Sequence, residues 1–109
     1  MGLIRGDIAI GVSSGDYGKP RPVLILQSNA FCDTESVVVA LLTSDQLPTS
    51  ALFRNPLSPS DRNGLRQPSD VMIDKLVVLP RSKISKAIGH LSSTEMAEIT
   101  ASLALFLGM

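Results

Sequence analysis

The segment Gly18-Lys19-Pro20-Arg21-Pro22 carries the residue types with the clearest chemical potential in this 109-residue chain. Arg21 stands between two prolines, each of which fixes its own φ angle and restricts the residue before it. A guanidinium held this way at the entrance to a strand is well placed to bind a phosphate, and Lys19 adds a second positive charge. The alternative is a rigid turn with a solvated arginine, and the segment alone favours that alternative.

A run of polar residues, Thr43-Ser44-Asp45, forms the second candidate and directly follows a predicted strand. Hydroxyl groups at a strand end can donate hydrogen bonds to a phosphate or to developing negative charge. Residues of this type more often cap a turn. A third candidate, Asp74, shares one face of a later predicted strand with Met72 and Leu76, and we expect it to be an edge residue or a member of a polar pair.

Several other chemistries lack the residues they need. His90 is the only histidine, so a two-histidine ribonuclease mechanism is excluded, and its position before a helix start favours a structural role. Cys32 is the only cysteine, which excludes an internal disulfide and a cysteine metal cluster. Neither a metal-binding spacing nor a phosphate-binding glycine motif is present. The sequence therefore predicts neither a metal nor a cofactor.

Length and composition predict a single domain over residues 1–109 with its own apolar core. Hydrophobic residues make up 44% of the chain and charged residues 18%, which argues against disorder. The net charge of +0 gives no general affinity for nucleic acid, so an RNA site must be a local basic patch. No signal peptide or membrane-spanning segment is evident, and we expect a cytoplasmic protein.

Apolar and β-branched segments predict a mainly β protein. The expected strands cover residues 4–12, 23–27, 37–42 and 71–79, with 51–54 as an edge strand. Residues rich in glycine, serine and proline predict loops over 13–22 and 55–68. Together these elements predict a small twisted sheet or half-open barrel with a helix packed on it.

The C-terminal segment has the pattern of an amphipathic helix of roughly four turns. Ser92 or Ser93 can serve as the N-cap, and Glu95 stands where a capping box places its acid. Apolar residues then recur at helical spacing, and Gly108 follows as a stop signal. Few charges follow Glu98, so we expect more than one face of this helix to be buried.

Several segments, taken in order, resemble the MazF/PemK toxin family along almost the whole chain. They are Arg5-Gly6-Asp7-Ile8, then Gly18-Lys19-Pro20-Arg21-Pro22-Val23-Leu24-Ile25, Val38-Val39-Ala40-Leu41-Leu42-Thr43-Ser44, Gly64-Leu65, Ser69-Asp70-Val71-Met72-Ile73-Asp74 and Ser92-Ser93-Thr94-Glu95-Met96. The resemblance implies an SH3-like barrel of the CcdB/MazF type and a homodimer. It further implies a toxin that cleaves single-stranded RNA at short sequences through the ribose 2′-OH, without a metal. A cognate antitoxin with a disordered tail would block the RNA groove.

The resemblance also assigns residues. Arg21 matches the family's arginine, which stabilises charge on the scissile phosphate and can act as the acid, and Thr43 matches the threonine that binds this phosphate. The expected RNA-binding residues are Asp16, Tyr17, Lys19, Ser44 and Asp74. Some relatives have an arginine two residues before the acid of the later strand, where this chain has Met72.

Two other functions remain open on the sequence alone. A CcdB-type protein poisons DNA gyrase and cuts nothing, and here its contact surface would be the terminal segment Leu105-Phe106-Leu107-Gly108-Met109. Such a gyrase poison needs neither Arg21 nor Thr43. A non-catalytic SH3-like binding module is the third alternative, and the net charge of +0 and Met72 are compatible with it. The presence of both residues favours the nuclease.

Overall fold

The computed structural model describes residues 2–13, 18–48 and 52–109, and within them the chain forms strands followed by one long helix. Two short 3-10 turns, Asn29–Phe31 and Arg81–Lys83, connect strands. The strands and the helix are β1 (Asp7–Val12), β2 (Pro20–Ile25), β3 (Ser36–Thr43), β4 (Arg54–Leu57), β5 (Ser69–Pro80), β6 (Gly89–His90) and α1 (Ser93–Leu107).

The described strands form one antiparallel sheet in the order β4-β5-β3-β2-β1-β6. The first three strands are a meander, and β5 then inserts between β3 and the edge strand β4. The sheet is open between its edges, and α1 packs on one face. The predicted fold class, a mainly β half-open barrel with a C-terminal helix, is confirmed.

Apolar side chains cover both faces of this sheet. Ile8, Leu24 and Leu42 belong to a cluster that includes Ile99 of α1. Their strand neighbours point the opposite way, and Val23 and Val39 belong to a second buried cluster. Because successive strand residues alternate between faces, covering both faces explains why β2 and β3 have continuous apolar runs rather than alternating patterns.

Strand β2 begins at Pro20, three residues earlier than predicted, so Arg21 lies in the strand and not in a loop before it. Pro22 is opposite Ile10 of β1. The backbone N–H and C=O of Ile10 point away from β2, to Ser85. The Pro22–Ile10 pair is therefore not hydrogen-bonded, and the missing proline N–H costs no hydrogen bond between β2 and β1.

The predicted edge strand is displaced along the chain. Residues 51–54 were expected to form it, but β4 covers Arg54–Leu57, and Ala51 lies outside the described residues. The loop expected over residues 55–68 therefore begins at Ser58. Pro56 argued against a strand, but β4 is paired only with β5, and an edge strand tolerates proline on its open side.

Helix α1 has the predicted boundaries but a narrower buried face. Ile99 is its only fully buried residue, with Met96 and Leu103 packed against the same cluster. Leu105, Phe106 and Leu107 are 67%, 50% and 54% exposed. The expectation that more than one face of this helix is buried is therefore wrong for the single chain. In the described residues, no helix combines the length and apolarity needed to cross a membrane.

The start of α1 has a complete capping box with Ser92 as the N-cap. The Ser92 hydroxyl accepts a hydrogen bond from Glu95 N at 3.1 Å, and the Glu95 carboxylate accepts one from Ser92 N at 2.8 Å. We expect Ser92→Ala to lower the free energy of unfolding by about 1 kcal/mol, because an orphan N–H loses its partner. Ser93→Ala, one residue later and exposed, is the matched control. Equal losses in thermal denaturation would contradict the assignment of Ser92 as the cap.

Candidate active site

A cleft of about 400 Å³ opens at the end of the sheet where β2 starts and β3 ends. Residues 64–67, from the loop between β4 and β5, complete its wall. Strand pairing brings the two sequence candidates together, because β2 and β3 are antiparallel with Val23 opposite Leu41. Arg21 and Thr43 each lie two residues beyond this pair, and both line the cleft. The cleft is lined by Ile10, Lys19, Pro20, Arg21, Pro22, Leu42, Thr43, Ser44, Gly64, Leu65, Arg66, Gln67, Ser69 and Ile88.

The lining of the cleft is basic although the chain is neutral overall. Lys19, Arg21 and Arg66 contribute three positive charges, and none of the described lining residues is an aspartate or glutamate. A concave surface lined by one sign of charge concentrates its field and attracts ions of opposite charge. The structure therefore contains the local basic patch that a neutral chain needs to bind a polyanion.

Arg21 is positioned by the sheet itself. It lies in β2 opposite Gly11 of β1, and its side chain is half-buried. The prolines on either side remove backbone freedom that a loop residue would retain. A guanidinium mounted on a strand holds its direction better than one on a loop, which favours binding of a phosphate in one fixed orientation.

The Thr43 hydroxyl makes a hydrogen bond that stabilises the turn, and it can also donate its own hydrogen. Its Oγ1 accepts a hydrogen bond from Asp45 N at 3.1 Å, which is the turn-capping role considered for this residue. The hydroxyl hydrogen remains available, because a hydroxyl has one donor in addition to its acceptor sites. Thr43 can therefore cap the turn and still donate to a phosphate oxygen in the cleft. Ser44, next to it, is exposed and also lines the cleft.

Asp70 supports the turn that follows Thr43. It is only 2% exposed and lies opposite Thr43 on β5. Its carboxylate accepts hydrogen bonds from Leu47 N at 2.9 Å and from Gln46 Nε2 at 3.2 Å. The sequence does not indicate this role, because the partners of Asp70 are more than 20 residues away in the chain. We assign it a positioning role.

A rigid turn presents Arg66 to the cleft. Asn63 is buried, and its side-chain oxygen accepts from Ser60 N and Leu65 N while its amide donates to the Ser58 carbonyl. Gly64 adopts φ +70°, and a Cβ there would lie 2.3 Å from the Ile88 carbonyl oxygen. The sequence predicts a loop here and does not single out Arg66. The Gly64-Leu65 pair is the one local sign in the sequence that this loop is ordered.

Asp74 is not among the described residues that line the cleft. Its carboxylate pairs with Arg54 Nε at 3.2 Å, and Arg54 also stacks on Phe53 with its Cζ 5.6 Å from the ring centroid. One of the two alternatives for Asp74, membership of a polar pair, is therefore confirmed. The physical reason is an irregularity in the β3–β5 pairing between Val71 and Leu76, the kind of bulge that redirects side chains.

Three further predictions concern neighbouring positions. Met72 is 6% exposed and belongs to an apolar cluster, so the arginine that some relatives have there would be buried among apolar groups in this fold. Lys19 lines the cleft, and its contact with RNA stays a prediction. Asp16 and Tyr17 lie outside the described residues.

Comparison with known proteins agrees with this architecture. The profile of a family described as PemK-like, MazF-like toxins of type II toxin–antitoxin systems matches residues 5–107. The probable endoribonuclease MazF of Mycolicibacterium smegmatis is 42% identical over 107 residues, which cover 96% of each chain. The Mycobacterium tuberculosis toxin MazF-mt6 superposes with a TM-score of 0.81 at 24% identity, over 94% of this chain and 97% of that one. A mycobacterial endoribonuclease solved in complex with its cognate antitoxin gives 0.78 at 23% identity, over 98% and 96%. At these identities, the two solved structures support the fold alone.

Proposed function

The chain belongs to the family of PemK-like, MazF-like toxins of type II toxin–antitoxin systems, and on that premise we propose that it is an endoribonuclease that cleaves single-stranded RNA. The observation that carries the proposal is the convergence of Lys19, Arg21 and Thr43 on one basic cleft. Guanidinium, hydroxyl and ammonium groups, which these three residues supply, are the side-chain groups that commonly bind the phosphates of a nucleic acid.

The proposed reaction is a transesterification within the RNA. The ribose 2′-oxygen attacks the adjacent phosphorus and loses its proton, while the bond to the 5′-oxygen breaks and that oxygen gains a proton. The products are a 2′,3′-cyclic phosphate and a 5′-hydroxyl. Because the substrate supplies its own nucleophile, the protein has to align the attack and stabilise negative charge on the phosphate oxygens.

Arg21 and Thr43 are the proposed catalytic residues. The Arg21 guanidinium can donate two parallel hydrogen bonds to the phosphate oxygens, and the Thr43 hydroxyl can add a third. A guanidinium stays protonated in proteins. We therefore assign Arg21 to charge stabilisation rather than to donation of the proton that the leaving oxygen needs.

The remaining expected RNA-binding residues divide into three groups. Lys19 and Ser44 line the cleft and are proposed to contact the backbone next to the scissile phosphate. Asp16 and Tyr17 precede Lys19 in the chain and stay predictions for RNA contact. Asp74, through its pair with Arg54, is proposed to stabilise β4 and β5 rather than to bind RNA.

The proposal includes partners and a location. We propose a single toxin domain over residues 1–109 that forms a homodimer and is inhibited by a cognate antitoxin. The exposed apolar end of α1 supports a protein contact there. A mycobacterial endoribonuclease with this fold was solved in complex with its cognate antitoxin, which supports a partner of the same kind for this chain. Cleavage of cellular RNA requires the protein in the cytoplasm.

The test is incubation of the purified full-length chain with a long single-stranded RNA in EDTA. We expect discrete fragments that end in cyclic phosphate, and no cleavage of the same RNA annealed to its complement. Cleavage only after addition of Mg²⁺ would support nuclease activity but contradict the proposal that it needs no metal. Intact RNA in both conditions would overturn the proposal, and inhibition of DNA gyrase supercoiling would then identify the alternative toxin activity.

A further inference from the structure

We propose that Arg66 selects the RNA sequence by binding the edge of a guanine next to the scissile phosphate. The inference rests on the proposed function and adds to it a residue that determines specificity. Arg66 lies on the same cleft wall as Gln67, facing the cleft shared with Arg21 and Thr43. A cleft of about 400 Å³ is near the small end of ligand sites. Arg21 and Arg66 line this one cleft, so one bound nucleotide can contact both.

The Arg66 side chain is free to bind a ligand. It is exposed, and in the part of the chain that the structure describes it takes part in no hydrogen bond or ion pair. Arg54, by contrast, is paired with Asp74 and stacked on Phe53. The positive charge and five N–H donors of Arg66 therefore remain available at the cleft.

The backbone that carries Arg66 is fixed on both sides. Leu65 is buried in the core cluster that contains Ile99, and the Asn63 side chain holds the Leu65 N–H at 2.9 Å. On the other side, Pro68 restricts Gln67 to an extended conformation. A side chain on such a preorganised turn loses less conformational entropy when it binds.

Arg21 and Arg66 lie on different walls of the cleft, and this separation favours binding of a base by Arg66 over a second phosphate contact. Arg21 in β2 and Thr43 at the end of β3 line the same cleft, and together they can supply the donors for one phosphate. Arg66 comes from a separate wall. Bidentate binding to O6 and N7 of guanine is the commonest specific contact that arginine makes with bases. Single-stranded RNA exposes these edges, because its bases can be splayed apart.

The experiment compares wild type, Arg66→Lys, Arg66→Ala and Arg62→Ala on single-stranded RNA with a randomised centre, with cleavage sites read by sequencing. Arg62 is an exposed arginine of the same loop that lines a different cavity, so its variant is a matched control. In parallel, each protein selects from a 2′-O-methylated pool that cannot be cleaved. This binding readout does not depend on catalysis.

We expect wild type to favour guanine at one position near the cut, and Arg66→Lys to lower that preference by about tenfold or more. Lysine keeps the charge but not the planar fork. Arg62→Ala should match wild type. A guanine preference that persists in Arg66→Lys, or a uniform loss at all sites in Arg66→Ala, would overturn base recognition and indicate a phosphate contact.

Failure of the proposed function has a different signature. If wild type cleaves nothing but enriches guanine from the 2′-O-methylated pool, and Arg66→Lys loses that enrichment, base recognition stands while the nuclease activity does not. If wild type shows no base preference in either pool, the inference about Arg66 is wrong whether or not RNA is cut.

Discussion

Replacing Arg21 with alanine should lower the rate of RNA cleavage by roughly two to three orders of magnitude, the effect of removing one preorganised donor from developing negative charge. The variant removes the only strand-mounted cation among the described residues of the cleft. Single-turnover cleavage of a fixed RNA sequence measures the effect, because it isolates the chemical step from product release.

Two companion variants test whether the loss comes from the guanidinium. Arg21→Lys keeps the charge but cannot donate two parallel hydrogen bonds, so we expect a rate between those of wild type and Arg21→Ala. Lys75→Ala removes an exposed positive charge on β5 outside the cleft and should retain full activity. Circular dichroism checks that each variant keeps the overall secondary structure of wild type. A cleavage rate for Arg21→Ala equal to that of Lys75→Ala would remove Arg21 from the catalytic machinery.

The second large effect concerns stability. We expect Gly64→Ala to lower the free energy of unfolding by about 3 kcal/mol and the Tm by roughly 10 to 20 °C. Two costs combine at this position. The left-handed backbone at φ +70° disfavours a side chain, and the added Cβ would lie 2.3 Å from the Ile88 carbonyl oxygen, so the backbone must shift.

Gly18→Ala separates these two costs. Gly18 has nearly the same backbone conformation, φ +75°, but no atom of the described residues lies within 4 Å of an added Cβ. The free energy of unfolding of Gly18→Ala should therefore fall by the conformational cost alone, on the order of 1 kcal/mol. Equal losses in chemical denaturation of the two variants would show that residues 62–64 and 88–89 are not packed as closely as the structure indicates.

The close packing around Gly64 also links stability to the cleft. A Cβ on Gly89 would lie 2.3 Å from the Asn63 carbonyl carbon, so the two glycines allow two backbone segments to touch. Leu65 and Arg66 follow directly on one of these segments. Any shift of this turn moves the cleft wall that carries Arg66, which explains why a Gly-Leu pair precedes the cationic residue.

Local interactions were readable from the sequence because their partners lie a few residues apart. The capping box joins Ser92 to Glu95 across three residues, and its geometry follows from the backbone of any helix start. The strand at β3 followed from its run of β-branched residues. Arg21 and Thr43 stood out by residue type, and the structure brings both to one cleft.

Other features depended on neighbours that the sequence does not specify. Pro56 indicated a loop, yet β4 forms because only one of its sides must be hydrogen-bonded. The apolar end of α1 indicated full burial, but a single chain covers only the face around Ile99. Asp74 found its partner on β4, 20 residues away.

The sequence by itself therefore determined the element types, the helix cap and the residues able to bind a phosphate, since these depend on local backbone preference and side-chain chemistry. Only the tertiary structure decided which of these residues share a site. The β2–β3 register brings Arg21 to Thr43, and the turn held by Asn63 adds Arg66 to the same cleft. A pleated sheet places residues by pairing rather than by sequence distance, so strand register and close backbone packing determine the composition of the site.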